Sequence, residues 1–236
     1  MTGDSAWLAI ASPNASNVKT VNDVYGIDVT DAGTASGLSK QGYVNLYKRS
    51  SYTGVFRLYG SLVSEAPGDA EMFGTSIVSS ASGTDYIFAI SAPGYNANQG
   101  KVSFIKVSGT NWTRYATVVY GAAPGDNFGQ SVAIADSGNI LAVGSPGTNG
   151  KGAVFVYKQI NGMFVQTDVI EGEHDGDNFG LSVDLTKDGT RLAVGSSLVD
   201  DKYKDQGKVY VYQVTSAGSA ILNQTLVSVK KEPNEQ

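Results

Sequence analysis

The residues that could do chemistry are few. His174 is the one histidine in 236 residues, set in Glu171-Gly172-Glu173-His174-Asp175-Gly176-Asp177. It is the single candidate general base, and its solitude rules out a multi-histidine metal site. Glycines and acids on both sides read as a solvated turn, so the expectation is an exposed histidine rather than a catalytic one. A second cluster, Asp200-Asp201-Lys202-Tyr203-Lys204-Asp205, gathers three carboxylates. Carboxylate oxygens at close spacing are what a hard cation such as Ca²⁺ needs, so Asp200, Asp201 and Asp205 are the candidate metal ligands. The two lysines among them favour the alternative, a solvated acidic loop. Tyr25, Asp28, Tyr95 and Tyr203 are candidate binding residues, because an aromatic ring beside Asn or Asp can stack on a sugar or a partner side chain. No Gly-x-Ser-x-Gly elbow, phosphate loop or His-Glu-x-x-His is present, and no catalytic residue is assigned.

These side chains need a scaffold, and composition points to strands. Glycine is abundant at 29 residues, and 13 tyrosines join 8 phenylalanines. Glycine weakens helices, whereas aromatics suit a pleated surface. The net charge of −5, without Lys/Arg clusters, argues against nucleic acid or an anionic membrane as partner. The absence of cysteine excludes disulfides and thiolate metal sites. The opening MTGDSAWLAIASP has no basic segment followed by a long apolar run, so it does not read as a signal peptide. No stretch approaches the ~20 apolar residues of a membrane span, and no membrane insertion is expected.

The dominant pattern is a repeat. Met72-Phe73-Gly74-Thr75-Ser76, Asn127-Phe128-Gly129-Gln130-Ser131 and Asn178-Phe179-Gly180-Leu181-Ser182 align, with their phenylalanines 55 and 51 residues apart. Each is followed by a second apolar run, as in Ile140-Leu141-Ala142-Val143-Gly144-Ser145-Pro146. A third run then opens on glycine, at Gly100, Gly152 and Gly207, and a looser fourth closes the unit. Four strand-length runs joined by Gly/Asn/Asp/Ser turns, recurring about every fifty residues, are the arithmetic of a propeller blade. The reading is therefore all-β: a β-propeller of about four four-stranded antiparallel blades, in units of about 6–68, 69–124, 125–176 and 177–230. Residues 231–236 follow as a tail without a strand pattern.

The first unit is irregular. Trp7 to Pro13 matches the second run and Gly42 to Tyr47 the third, but Gly42 lies 29 positions after Pro13, against 7 from Pro93 to Gly100. An insertion over 14–41 is expected, within which Tyr25-Gly26-Ile27-Asp28-Val29 faintly copies a Phe-Gly strand. Nothing before residue 7 supplies a first strand, so the first blade is incomplete. A three-stranded blade, completion by a partner chain or oligomer, and membership of a larger propeller all stay open.

The Phe-Gly pairs Phe73-Gly74, Phe128-Gly129 and Phe179-Gly180, with the small-small-Pro triplets ending at Pro13, Pro93 and Pro146, resemble the FG-GAP repeat family of integrin-α-like propellers. The resemblance implies a propeller fold with these residues as scaffold, the ring wedged between blades and the glycine allowing close backbone approach. It also implies where calcium would bind, in an Asp-rich loop between first and second strands. Here those loops, such as Asp136-Ser137-Gly138-Asn139, offer at most one carboxylate each, so the family's calcium loops are absent and no cofactor is assigned. The function expected is a non-catalytic binding or adhesion module contacting a protein or glycan through its loops. The alternatives are an assembly subunit of a larger particle, such as a virion, and a hydrolase or lyase. The expected location is extracellular, at a cell or virion surface. The sequons at Asn14, Asn111 and Asn223 carry little weight.

Overall fold

A computed structural model describes residues 7–14, 41–49, 55–64, 70–82, 85–109, 111–115, 118–200 and 204–227. Four sheets follow one another along the chain, each an antiparallel meander in which sequence neighbours pair. The first is β1 (Trp7–Ser12), β2 (Tyr43–Arg49) and β3 (Phe56–Leu62). The second is β4 (Ile77–Ser82), β5 (Asp85–Ala92) and β6 (Lys101–Ser108), with β7 (Asn111–Arg114) and β8 (Val119–Tyr120) both pairing β6. The third is β9 (Ser131–Ile134), β10 (Ile140–Ser145), β11 (Ala153–Ile160) and β12 (Met163–Glu171). The fourth is β13 (Phe179–Leu185), β14 (Arg191–Ser196), β15 (Lys208–Val214) and β16 (Ala220–Val227). The fold is all-β, a propeller of about four blades, and among the described residues the first blade has three strands.

The sequence makes blades because its strands are apolar on both faces. In β11, Val154 and Val156 point to the fourth sheet, whereas Phe155 and Tyr157 point to the second. An inner sheet is thus covered on both sides, and its strands read as nearly continuous apolar runs. The described core falls into three clusters, one per junction. Val44, Leu46, Phe88 and Ile90 join the first sheet to the second. Val102, Phe104, Leu141 and Val143 join the second to the third, where the Phe104 and Phe164 rings stack at 4.4 Å. Val154, Val156, Leu192 and Tyr210 join the third to the fourth. No such cluster joins the fourth sheet to the first among the described residues.

Two expectations change in detail. Phe73-Gly74 and Phe128-Gly129 lie in the turns before β4 and β9 rather than within those strands, and only Phe179-Gly180 falls inside a strand, at the irregular start of β13. The looser fourth run of the second unit is two short strands, β7 and β8. The insertion at 14–41, beyond Asn14 and Gln41, lies outside the described residues, as does the tail.

Candidate functional site

The geometry repeats most closely at the Phe-Gly turns. The residue before each phenylalanine has positive φ (Met72 55°, Asn127 53°, Asn178 55°), as does the glycine after it (Gly74 95°, Gly129 87°, Gly180 84°). The next residue donates its N–H back across the turn, from Thr75 to the Met72 carbonyl (3.1 Å), Gln130 to Asn127 (3.0 Å) and Leu181 to Asn178 (3.1 Å). A four-residue turn with positive φ at its third position calls for glycine there. The phenylalanine at the second position is driven into the preceding blade and is 2%, 0% and 2% exposed at 73, 128 and 179.

Each ring is received in the same way. The phenylalanine N–H donates to the carbonyl just before the glycine that leads into β2, β6 or β11 of the preceding blade: Phe73 to Gln41 (2.8 Å), Phe128 to Gln99 (3.3 Å), Phe179 to Lys151 (3.2 Å). The glycine that follows that carbonyl then lies against the phenylalanine backbone. A Cβ on Gly42, Gly100 or Gly152 would stand 2.2, 2.1 or 2.2 Å from the oxygen of Phe73, Phe128 or Phe179. At the junction of the third and fourth blades the Ser131 hydroxyl also donates to the Gly180 carbonyl (3.0 Å), and a Cβ on Gly144 would meet that oxygen at 2.0 Å.

The fourth sheet carries the same acceptor. Aligned with the third, Ser182 stands for Ser131, Gly195 for Gly144, Gly207 for Gly152 and Val209 for Val154. These residues, with Leu181 and Leu226, line a groove of about 520 Å³. Among the described residues no aromatic turn fills it. The nearest atom to a Cβ on Gly207 is the Ser197 oxygen at 3.2 Å, and nothing but the rotatable Ser182 hydroxyl comes within 3.4 Å of one on Gly195.

A buried ionic cluster lies between the first and second sheets. Lys101, 3% exposed, sits 3.2 Å from the Glu71 carboxylate, donates to the Ser64 hydroxyl at 2.7 Å and lies 4.0 Å from the Tyr95 ring centre. Glu71 occupies the position two before Phe73, and Asp126 and Asp177 hold the matching places before Phe128 and Phe179, all three buried. The Asp126 carboxylate accepts the Ala122 and Ala123 N–H groups at 3.0 and 2.9 Å. The acid-x-Phe-Gly spacing was available in the sequence, but the contribution of Lys101 and Ser64 was not, because they lie far apart in the chain.

Of the sequence-derived binding residues, Tyr95 is half-buried between Lys101 and Tyr120, whose ring centre is 5.7 Å away. Tyr25, Asp28 and Tyr203 lie outside the described residues. Of the proposed cation ligands, Asp200 accepts the Asp205 backbone N–H at 2.7 Å, while Asp201 lies outside the described residues. Among the described residues no three His, Asp or Glu side chains gather as a metal site would require. Pro13, Pro93 and Pro146 sit in the turns leaving β1, β5 and β10. His174 is exposed, its Nδ1 3.5 Å from the Asp177 carboxylate. In the β13–β14 turn the Thr186 hydroxyl, then the Thr190 N–H and hydroxyl, hold the exposed Asp188 carboxyl down at about 2. No helix among the described residues is long and apolar enough to cross a membrane.

Blades locked by aromatic–glycine turns define a β-propeller module. The FG-GAP repeat model matches residues 118–157 and 172–212, which take in the Phe128-Gly129 and Phe179-Gly180 turns, so this part of the chain carries FG-GAP repeats. No curated protein matches the chain at a significant level. Among solved structures, the chain is similar to a protein from Lactobacillus plantarum at 19% identity and a TM-score of 0.51, over 82% of this chain and 51% of that one. It is also similar to a Bacteroides fragilis protein provisionally named 6-phosphogluconolactonase, at 10% identity and a TM-score of 0.43, over 80% of this chain and 65% of that one. The chain thus spans about half to two thirds of the length of these two structures, and the likeness to the Lactobacillus plantarum protein is one of fold.

Proposed function

We propose that this chain is a non-catalytic binding module whose partner is a protein, met at the outer faces of its first and fourth sheets. FG-GAP repeats build propeller modules commonly used for binding, which supports the general reading. The observation that carries the location is that both end sheets present blade-type faces with no described sheet over them. Val209 on β15 holds the register position of Val154 on β11, yet Val209 is 40% exposed where Val154 is fully buried. Leu226 pairs with Val209 and is 47% exposed. At the other end, Leu8 and Ile10 on β1 share a face with Tyr47 and Leu58 and are 41% and 48% exposed. Contiguous apolar patches of this kind mark interaction sites in folded proteins.

A protein fits these faces better than a glycan. They are broad, apolar and pleated, and the equivalent faces inside the molecule pack against other sheets, which supports a protein surface as the partner. The reading as non-catalytic is supported by His174, which stands exposed in a turn.

A photo-crosslinker placed at Ile10 or Leu226, in separate variants, tests the reading against one placed at Ser137 in an exposed turn. In extract of the source organism, the end-face positions should crosslink to a defined protein and position 137 should not. Crosslinks confined to position 137, or turnover in a hydrolase and lyase substrate panel, would overturn it.

A further inference from the structure

We infer that Asn161, at the tip of the β11–β12 hairpin, is a covalent modification site that converts with water to isoaspartate and loosens the outer junction of the second and third blades. The site stands apart from the two end faces proposed for partner binding.

An asparagine followed by glycine is open to this reaction, because glycine has no side chain to hinder attack by its own nitrogen. The chain has two such pairs, Asn149-Gly150 and Asn161-Gly162. Both asparagines are exposed and left-handed, with φ of 52° and 51°. Sequence and exposure rank the two equally. The hydrogen bonds around them do not.

The step balances with water alone. The Gly162 nitrogen, having given up its proton, attacks Cγ of Asn161. A C–N bond forms, the Cγ–Nδ2 bond breaks, and the amide leaves as ammonia with a proton taken up. Water then opens the five-membered imide at either carbonyl, giving aspartate or isoaspartate. In isoaspartate the main chain runs through the former side-chain carbon.

At Asn149 both reacting groups are held. Its Nδ2 donates to Glu171 Oε1 at 3.2 Å, and the Gly150 N–H donates to the Gly147 carbonyl at 3.1 Å. The Gly150 carbonyl in turn accepts the Gly176 N–H at 2.8 Å, which ties this turn to the next inter-blade turn. At Asn161 neither the carboxamide nor the Gly162 N–H has a hydrogen-bond partner among the described residues. Attack there breaks no bond made by either group, and an exposed tip opens at low free energy.

The consequence follows from where the tip rests. Asn161 and Gly162 form a two-residue loop between the paired Ile160 and Met163, both loop residues having positive φ. A loop of this length sets the hairpin register, and isoaspartate adds a backbone carbon and a negative charge to it. A Cβ on Gly162 would lie 3.5 Å from the Tyr115 hydroxyl of the second blade, which accepts Gln159 Nε2 at 2.8 Å. Gln159 pairs with Phe164, whose ring stacks on Phe104. The outer hairpins of the second and fourth blades are held by the preceding blade too, Lys48 donating to the Gly109 carbonyl (3.1 Å) and Lys158 to that of Ser216 (2.7 Å).

The intact protein aged at mildly alkaline pH tests this, with peptide mapping by mass spectrometry reading a gain of about 1 Da at each asparagine. In the folded chain Asn161 should convert at least about tenfold faster than Asn149, and in urea the two rates should become comparable. Glu171→Ala frees the Asn149 carboxamide, so it should speed conversion at Asn149 and leave Asn161 unchanged. Equal rates in the folded chain, or a difference that survives unfolding, overturns the assignment. An Asn149 rate indifferent to Glu171→Ala overturns the protection on which it rests. The aged form, separated by its added negative charge, should melt below the parent chain, and an unchanged melt overturns the loosening of the junction.

Discussion

Gly152 and Phe179 form an isolated parallel bridge between the third and fourth blades, and a methyl on Gly152 would stand 2.2 Å from the Phe179 oxygen. The same pairing joins Gly100 to Phe128. Ring and glycine act together, since the ring supplies buried area while the glycine lets two backbones close on one another. Blade follows blade because this contact recurs, with the residues between phenylalanines looping out and back as one sheet.

Truncating the wedge should be costly. Phe128→Ala and Phe179→Ala each remove a fully buried ring from an inter-blade cluster, so each should lower unfolding free energy by about 3–5 kcal/mol. Urea denaturation measures it, and an unchanged midpoint in either variant would remove that ring from the core.

The buried pair between the first two blades behaves differently from a surface salt bridge. Lys101 and Glu71 are 3% and 1% exposed. Removing one partner leaves a buried charge unpaired, so Lys101→Met alone should cost about 3–5 kcal/mol. Lys101→Met with Glu71→Leu should recover most of that loss, because no buried charge then remains. A double-mutant cycle by thermal melting reads the coupling, and additive losses would mean the two charges do not meet.

Alkaline pH should weaken the junction of the third and fourth blades. Burial, then the neighbouring Tyr210 and Glu173, pushes the Tyr212 phenol up to about 12. Its unfolded value is about 10. The folded chain therefore keeps a proton that the unfolded chain releases, so this contribution is intact below pH ~10 and is lost as pH rises toward 12. Tyr212→Phe cannot ionise, and its stability should decline less steeply across that interval. Parallel declines for the two proteins would show that Tyr212 carries no such linkage.

Much of the fold was legible because repetition is a sequence property. Phe-Gly and small-small-Pro recur at fixed spacing, and the strands between them are apolar on both faces, which is how a covered sheet reads. The strand limits were less legible. Phe73-Gly74 looks like the start of a strand, but the left-handed Met72 and Gly74 bend the chain into a turn that delivers the ring to the previous blade. The acceptor groove was hidden for a different reason. Its walls, Ser182, Gly195, Gly207 and Val209, come together from separate stretches of the chain, and the two glycines owe their role to the absence of side-chain atoms. Nothing in the sequence singles out Lys101, whose burial comes from the packing of Glu71 and Ser64 around it.

The central claim is that the third and fourth sheets carry the same acceptor, filled in one and open in the other. The most direct test compares the melting of Gly144→Ala and Gly195→Ala. A methyl on Gly144 meets the Gly180 backbone oxygen at 2.0 Å, so Gly144→Ala should lose more than about 2 kcal/mol. A methyl on Gly195 displaces only the rotatable Ser182 hydroxyl at 2.2 Å, and Gly195→Ala should stay within about 0.5 kcal/mol of the parent chain. Equal, large losses in both variants would show the fourth acceptor to be already filled and would contradict the account.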